Sequence, residues 1–149
     1  MVNVGPMALV QKLIKKFGTN DPYEICSRLD ILVTTLRLVN VRGFYHFANN
    51  THFIYLSDEL ADHEKRFVLA HELCHTLLHS NDNALYLEHS TFLVTNKLEN
   101  EANEFAVCLL FPDDDTLGEL DDGLTISQLS AKLGISPAAL AYRLSLMKK

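Results

Sequence analysis

The segment FVLAHELCHTLLH, Phe67 to His79, sets His71, Glu72 and His75 inside an apolar helical run. Val68, Leu69, Ala70, Leu73 and Leu77 surround these polar groups, so a helix here packs into the core. Two imidazoles and a carboxylate taken into a core without partners are costly, and the fold must deliver partners to them. His-Glu-x-x-His is also the spacing with which one helix grips a divalent metal. Residues four apart share a face, about 6 Å apart along the axis. Both imidazoles then reach one ion at roughly 2.0–2.1 Å. Glu72 points about 100° away around the helix. It lies beside such an ion rather than under it, where it can take a proton from a bound water. Cys74 sits between the two histidines, and a small buried thiol filling the core explains it better than a ligand does.

Two histidines do not complete a catalytic zinc site, and His79 is not the missing donor. It lies about 12 Å along the axis from His71 at ~1.5 Å per residue, too far to share one ion. Nor is there a glycine-bent H-E-x-x-H-x-x-G-x-x-H, since Leu78 and Asn81 stand at its glycine and last histidine positions. The acidic segment around Leu98 to Ala106 is the better source. Glu99 and Asn103 share one helical face there, while Ala102, Phe105 and Ala106 turn to the core. Glu99 completes a His/His/Glu set, with Asn103 partnering His71 or His75. Glu101 is the alternative that a small register shift would bring in.

Composition narrows the setting. A chain of 149 residues, 48% hydrophobic, is expected to be one domain with a real core. A net charge of −6 disfavours a dedicated nucleic-acid binder. Cys26, Cys74 and Cys108 are too few and too scattered for a disulfide framework and read as reduced thiols. No apolar run approaches the ~20 residues of a membrane span. Lys12, Lys15 and Lys16 break any signal-peptide layout. A cytoplasmic protein with no membrane contact is expected.

Along the chain, Pro6 to Phe17 carries apolar residues at helical spacing and ends at Gly18. Asp21-Pro22 opens a second, short helix. The β-branched stretch Ile31 to Val41 reads as a strand. Gly43 to Phe47 and Thr51 to Leu56 flank Asn49-Asn50 and suggest a hairpin. A helical region begins at Ser57 or Asp58, Arg66 to His79 being its strongest part. Asn81 to Asn96 reads as a polar loop over the site, and Leu98 to Leu110 as a helix that Pro112 and three aspartates end. The tail, Thr125 to Met147, reads as two short helices divided at Gly134 to Pro137.

These motifs resemble the ImmA/IrrE family of metallopeptidases. The match is carried by Arg66 to His75, then by Glu99, Ala102, Asn103, Phe105, Ala106, Leu109, Leu110 and Pro112. It extends to the N-terminal helices, the Leu29-Asp30-Ile31 approach to a strand, the strand Ile54 to Leu56 and the closing helices Leu129 to Leu144. Cys74 and Phe111 depart from the family's commoner residues without touching the proposed chemistry. The resemblance implies an α+β, gluzincin-like fold: a small, mostly antiparallel sheet packed on helices that include the HExxH helix, followed by a C-terminal helical pair. Residues 1–149 then form a single metallopeptidase domain, 1–124 the catalytic core and 125–149 the helical subregion. It implies zinc held by His71, His75 and Glu99, with Glu72 as general base. It further implies a phage or mobile-element setting and cleavage of a helix-turn-helix repressor, which derepresses the genes it silences.

Peptide hydrolysis also asks for a donor to the oxyanion. Tyr45, His46, Tyr86 and His89 are candidates among which the sequence does not choose. A rival of another class is a non-proteolytic anti-repressor that captures the repressor, a basic partner for an acidic chain. A third reading makes the tail a DNA-reading helix-turn-helix. Its second helix, Pro137 to Leu146, carries only Arg143 as a charged residue, however, and a recognition helix needs several polar side chains. No direct nucleic-acid contact is expected. Oligomeric state is not encoded in any motif of the chain.

Overall fold

The computed structural model describes residues 5–79, 92–120 and 123–147. Helix α1 (Pro6–Phe17) starts on a proline whose fixed backbone suits the first helical position, and stops at Gly18, in the left-handed region with φ 72°. Helix α2 (Pro22–Arg28) is capped by Asp21, whose carboxylate accepts the Tyr23 N–H at 3.0 Å. Strands β1 (Ile31–Leu36), β2 (Gly43–Ala48) and β3 (Thr51–Ser57) form a sheet of order β1-β3-β2. The expected hairpin is present: Asn49 and Asn50 both take positive φ, 51° and 59°, as a tight two-residue turn requires.

The sheet is mixed rather than mostly antiparallel. β3 pairs antiparallel with β2 but parallel with β1. The segment after Leu36 is not strand up to Val41 as its β-branched residues suggest. It carries the chain past β3's position, so β2 enters at the far edge and returns through the hairpin into the centre. Alternation then divides the faces. Ile54 and Leu56 of β3 are fully buried towards the helices, while Leu32, Phe44 and Tyr55 lie on the outer face.

β3 continues through Ser57, and α3 (Asp62–Cys74) begins later than the sequence suggests. Its start is fixed by Glu64, whose carboxylate reaches back to the Ala61 N–H at 3.0 Å. A π-helical turn, His75–His79, follows directly. Helix α4 (Phe92–Leu110) packs along α3 and also against α1. It starts earlier than Leu98, so 92–96 is helical rather than loop; the rest of that expected loop, 81–91, lies outside the described residues. Ala102, Phe105, Ala106 and Leu109 of α4 are fully buried. The three aspartates after Pro112 end α4 and also start α5 (Asp114–Leu120). Asp113 accepts the Asp115 N–H at 3.1 Å and the Thr116 hydroxyl at 3.0 Å, and negative charge suits a helix N-terminus.

Helices α6 (Ile126–Leu133) and α7 (Pro137–Ser145) form the expected pair. Thr125 and Gln128 cap α6 reciprocally, and Gly134 closes it at φ 73°. Arg143, the one charge that a DNA-reading α7 would offer, is fully buried. Its Nε donates to the Phe111 carbonyl at 2.7 Å and its Nη2 to Asp114 at 2.6 Å. The arginine thus ties α7 to the junction of α4 and α5. Among the described residues no helix is long and apolar enough to cross a membrane.

Replacing Arg143 by methionine removes its bonds to the Phe111 carbonyl and to Asp114. A loss of about 3 kcal/mol in chemical denaturation is expected for Arg143→Met, against a negligible change for Lys132→Ala on the exposed face of α6.

Candidate metal centre

α3 and α4 meet where their polar residues face each other. The Nε2 atoms of His71 and His75 stand 3.2 Å apart, with the rings inclined at 75°. The Glu99 carboxylate, delivered by α4, reaches both: one oxygen is 3.0 Å from His71 Nε2 and the other 2.9 Å from His75 Nε2. On the far side of the His71 ring, Nδ1 donates to Asn103 Oδ1 at 2.7 Å. That bond places the Nδ1 proton and leaves Nε2 as the donor atom facing Glu99.

The donor set fits a tetrahedral cation. Ligands about 2.0–2.1 Å from a shared tetrahedral ion lie roughly 3.3 Å from one another, and the observed separations are 2.9, 3.0 and 3.2 Å. Glu72 also lies near, within 4.8 Å of both histidines, so two carboxylates compete for the ligand role. Glu99 is the nearer carboxylate, at 3.0 Å from His71 Nε2 and 2.9 Å from His75 Nε2, where Glu72 is 3.8 Å from His71 Nε2. Of Glu99 and Glu101, it is Glu99 that faces the imidazoles.

Electrostatics follow the geometry. Hydrogen bonds from His71 and His75 hold the Glu99 carboxyl far below the usual carboxylate range, against the opposing effect of burial. For His71, burial favours the neutral ring, but its bond to Glu99 and the charges of Glu72 and Glu99 together win and raise its pKa. Burial raises the Glu72 pKa, and the two histidines only partly offset this. Cys74, fully buried, has its thiol pushed up by burial. Burial likewise pushes Cys26 and Cys108 up to about 12. None of the three is a thiolate at neutral pH, and each is a core filler.

A cleft of about 350 Å³ opens on His71, Glu72, Glu99 and Asn103. Phe67 and Val68, one turn before His71 and Glu72 on α3, line it too, together with Arg42 and Gly43, which the sequence motifs do not single out. Gly43 carried a signal: a Cβ there would meet Val68 Cγ1 at 2.7 Å and the Tyr55 carbonyl at 2.8 Å. Only glycine lets the edge strand lie so close to α3. Among the four oxyanion candidates, Tyr45 lies on the helix side of the sheet with Gly43, its hydroxyl 3.2 Å from His52 Nδ1. His46 points to the opposite face, against Phe53. Tyr86 and His89 lie outside the described residues.

Comparison with known proteins supplies relatives of this chain. The M78 peptidase family, described as an IrrE N-terminal-like domain, matches residues 26–145. The chain is 36% identical over 145 residues to the uncharacterized immunity region protein 2 of Bacillus phage phi105, covering 94% of this chain and 91% of that protein. It is 30% identical over 141 residues to metallopeptidase ImmA of Bacillus subtilis strain 168, covering 91% and 82%. The chain belongs to the ImmA/IrrE family of metallopeptidases.

Because His71 holds a proton in the metal-free protein above the ordinary histidine pKa of about 6.5, metal must displace it. Zinc affinity is expected to rise with pH through and beyond that value, with proton release on binding measured by calorimetry in buffers of different ionisation enthalpy. Glu99→Gln lowers affinity and also reduces the release. The native protein is expected to resist thiol-reactive dyes at pH 8 and to titrate three thiols once denatured.

Proposed function

We propose that this protein is a zinc-dependent endopeptidase that cleaves a helix-turn-helix, DNA-binding repressor of a phage or mobile element, in the cytoplasm, and so derepresses its genes. The observation that carries the reading is the meeting of two imidazole Nε2 atoms and the Glu99 carboxylate within 2.9–3.2 Å, with a second, buried carboxylate at 3.8 Å. His71, His75 and Glu99 are the metal ligands in this reading, and two nitrogens with one oxygen suit zinc. A zinc ion held there would supply Lewis-acid polarisation of a peptide carbonyl and would make water a better nucleophile.

The chain's own groups do the rest. Glu72, with a pKa raised by burial, accepts a proton from the attacking water and returns it to the leaving amine. Asn103 keeps His71 in the tautomer that presents Nε2 inwards. Tyr45 is the described candidate on the helix side of the sheet for donating to the oxyanion, with His52 orienting its hydroxyl. Residues 1–149 act as one unit, with 1–124 carrying the chemistry and 125–149 the helical pair. The repressor as substrate rests on the family's implied role and on the immunity-region name of the phage relative. Capture without cutting has no observation in its favour, and neither does DNA binding now that Arg143 points inward.

The test is co-expression with the repressor encoded beside the gene. Wild type is expected to yield repressor fragments. Glu72→Gln should bind one equivalent of zinc but lose about 10²–10⁴-fold in cleavage rate. Derepression by Glu72→Gln equal to wild type, with the repressor intact, would refute the proteolytic reading.

A further inference from the structure

We propose that Arg42 is the specificity determinant of the cleft and selects a substrate carboxylate next to the bond to be cut. The inference rests on the peptidase reading above and concerns what that peptidase prefers.

Arg42 supplies the cation on the cleft wall, the only lysine or arginine there among the described residues. Its backbone is anchored, because its carbonyl accepts the Ser57 N–H at 2.8 Å. Its guanidinium is weakly engaged. Nη2 is 3.6 Å from Glu64 Oε2, too long for a hydrogen bond, and the other oxygen of Glu64 is already bonded to the Ala61 N–H. An ion pair between partly exposed groups of this kind is worth little. A substrate carboxylate can therefore displace it and receive two parallel N–H bonds from the planar fork.

The rest of the cleft favours the same occupant. Phe67 and Val68 offer an apolar wall to the methylenes of a side chain. Glu72 and Glu99 line the same cleft beside the two histidines, where a bound divalent cation would offset their charge. An anionic substrate group is drawn to Arg42, which sets the direction in which a peptide enters. The carboxylate has two sources, an Asp or Glu side chain or the free C-terminus of a chain.

The experiment incubates zinc-loaded protein with a proteome-derived peptide library and reads the cut sites by mass spectrometry. Cut sites are expected to show Asp or Glu enriched at one fixed position beside the scissile bond, or cutting at a fixed distance from the C-terminus. Peptide pairs then follow, Glu against Gln and free acid against amide. The preferred member is expected to have a kcat/KM about tenfold higher. Arg42→Gln brings the ratio to about one and Arg42→Glu inverts it, while zinc content and circular dichroism report that each variant is folded. The same pairs, labelled and bound to Glu72→Gln, should show the ratio in Kd without turnover, and Glu72→Gln/Arg42→Gln should lose it. A wild-type protein that cuts without carboxylate preference, or a ratio unchanged in Arg42→Gln, overturns this proposal and leaves the peptidase reading standing. Absence of any cut by the wild type overturns the peptidase reading and this proposal with it.

Discussion

The Glu99 carboxylate touches two imidazoles that belong to another helix, and the arrangement of the core serves that meeting. Both sides come from apolar helices. α3 presents His71, and the π-helical turn that continues it presents His75, from a face bordered by Leu69, Leu73 and Cys74, while α4 presents Glu99 and Asn103 from a helix whose Ala102, Phe105 and Ala106 are buried. Small residues at 102 and 106 suit a close approach of the two helices. The partners that the polar groups of α3 need are thus supplied by α4, across a separation of 28 positions from His71 to Glu99. A cation bound there would act as a cross-link between the helices, so metal supply and fold stability would be coupled.

Much of this is written in local patterns. The i,i+4 histidines, the Asp21-Pro22 cap, Gly18, the Asn49-Asn50 turn and the Gly134 break each act within a few residues, and each appears in the structure where the chain places it. Glu99 and Asn103 could be named because i,i+4 periodicity on a second helix puts them on one face. What local pattern does not hold is pairing at a distance. Nothing in Ile31–Leu36 says whether it runs parallel or antiparallel to β3, since that depends on which edge β2 takes. The same holds for Arg42 and Phe67, which become cleft wall only through the docking of β2 on α3.

Arg143 shows how composition misleads when orientation is unknown. A lone basic residue near the end of an apolar helix has the look of surface charge. In the fold it is the most enclosed polar side chain of the tail, occupied with a carbonyl and a carboxylate at the end of α4. The C-terminal pair therefore reads as a brace on α4 and on the start of α3. Gly134 adds to this, since its turn lies against His63 and Glu64 at the start of α3.

At the other side of the cleft, the gap between β2 and α3 is set by what Gly43 lacks. One methyl group there would collide with Val68 and with the backbone of β3, and relief would come most easily by moving the edge strand outward. The width of the opening, and with it the thickness of chain that fits between strand and helix, is consequently controlled by a single hydrogen atom. Mutational drift could rewrite the polar residues of that wall one at a time, but the spacing itself offers no intermediate step.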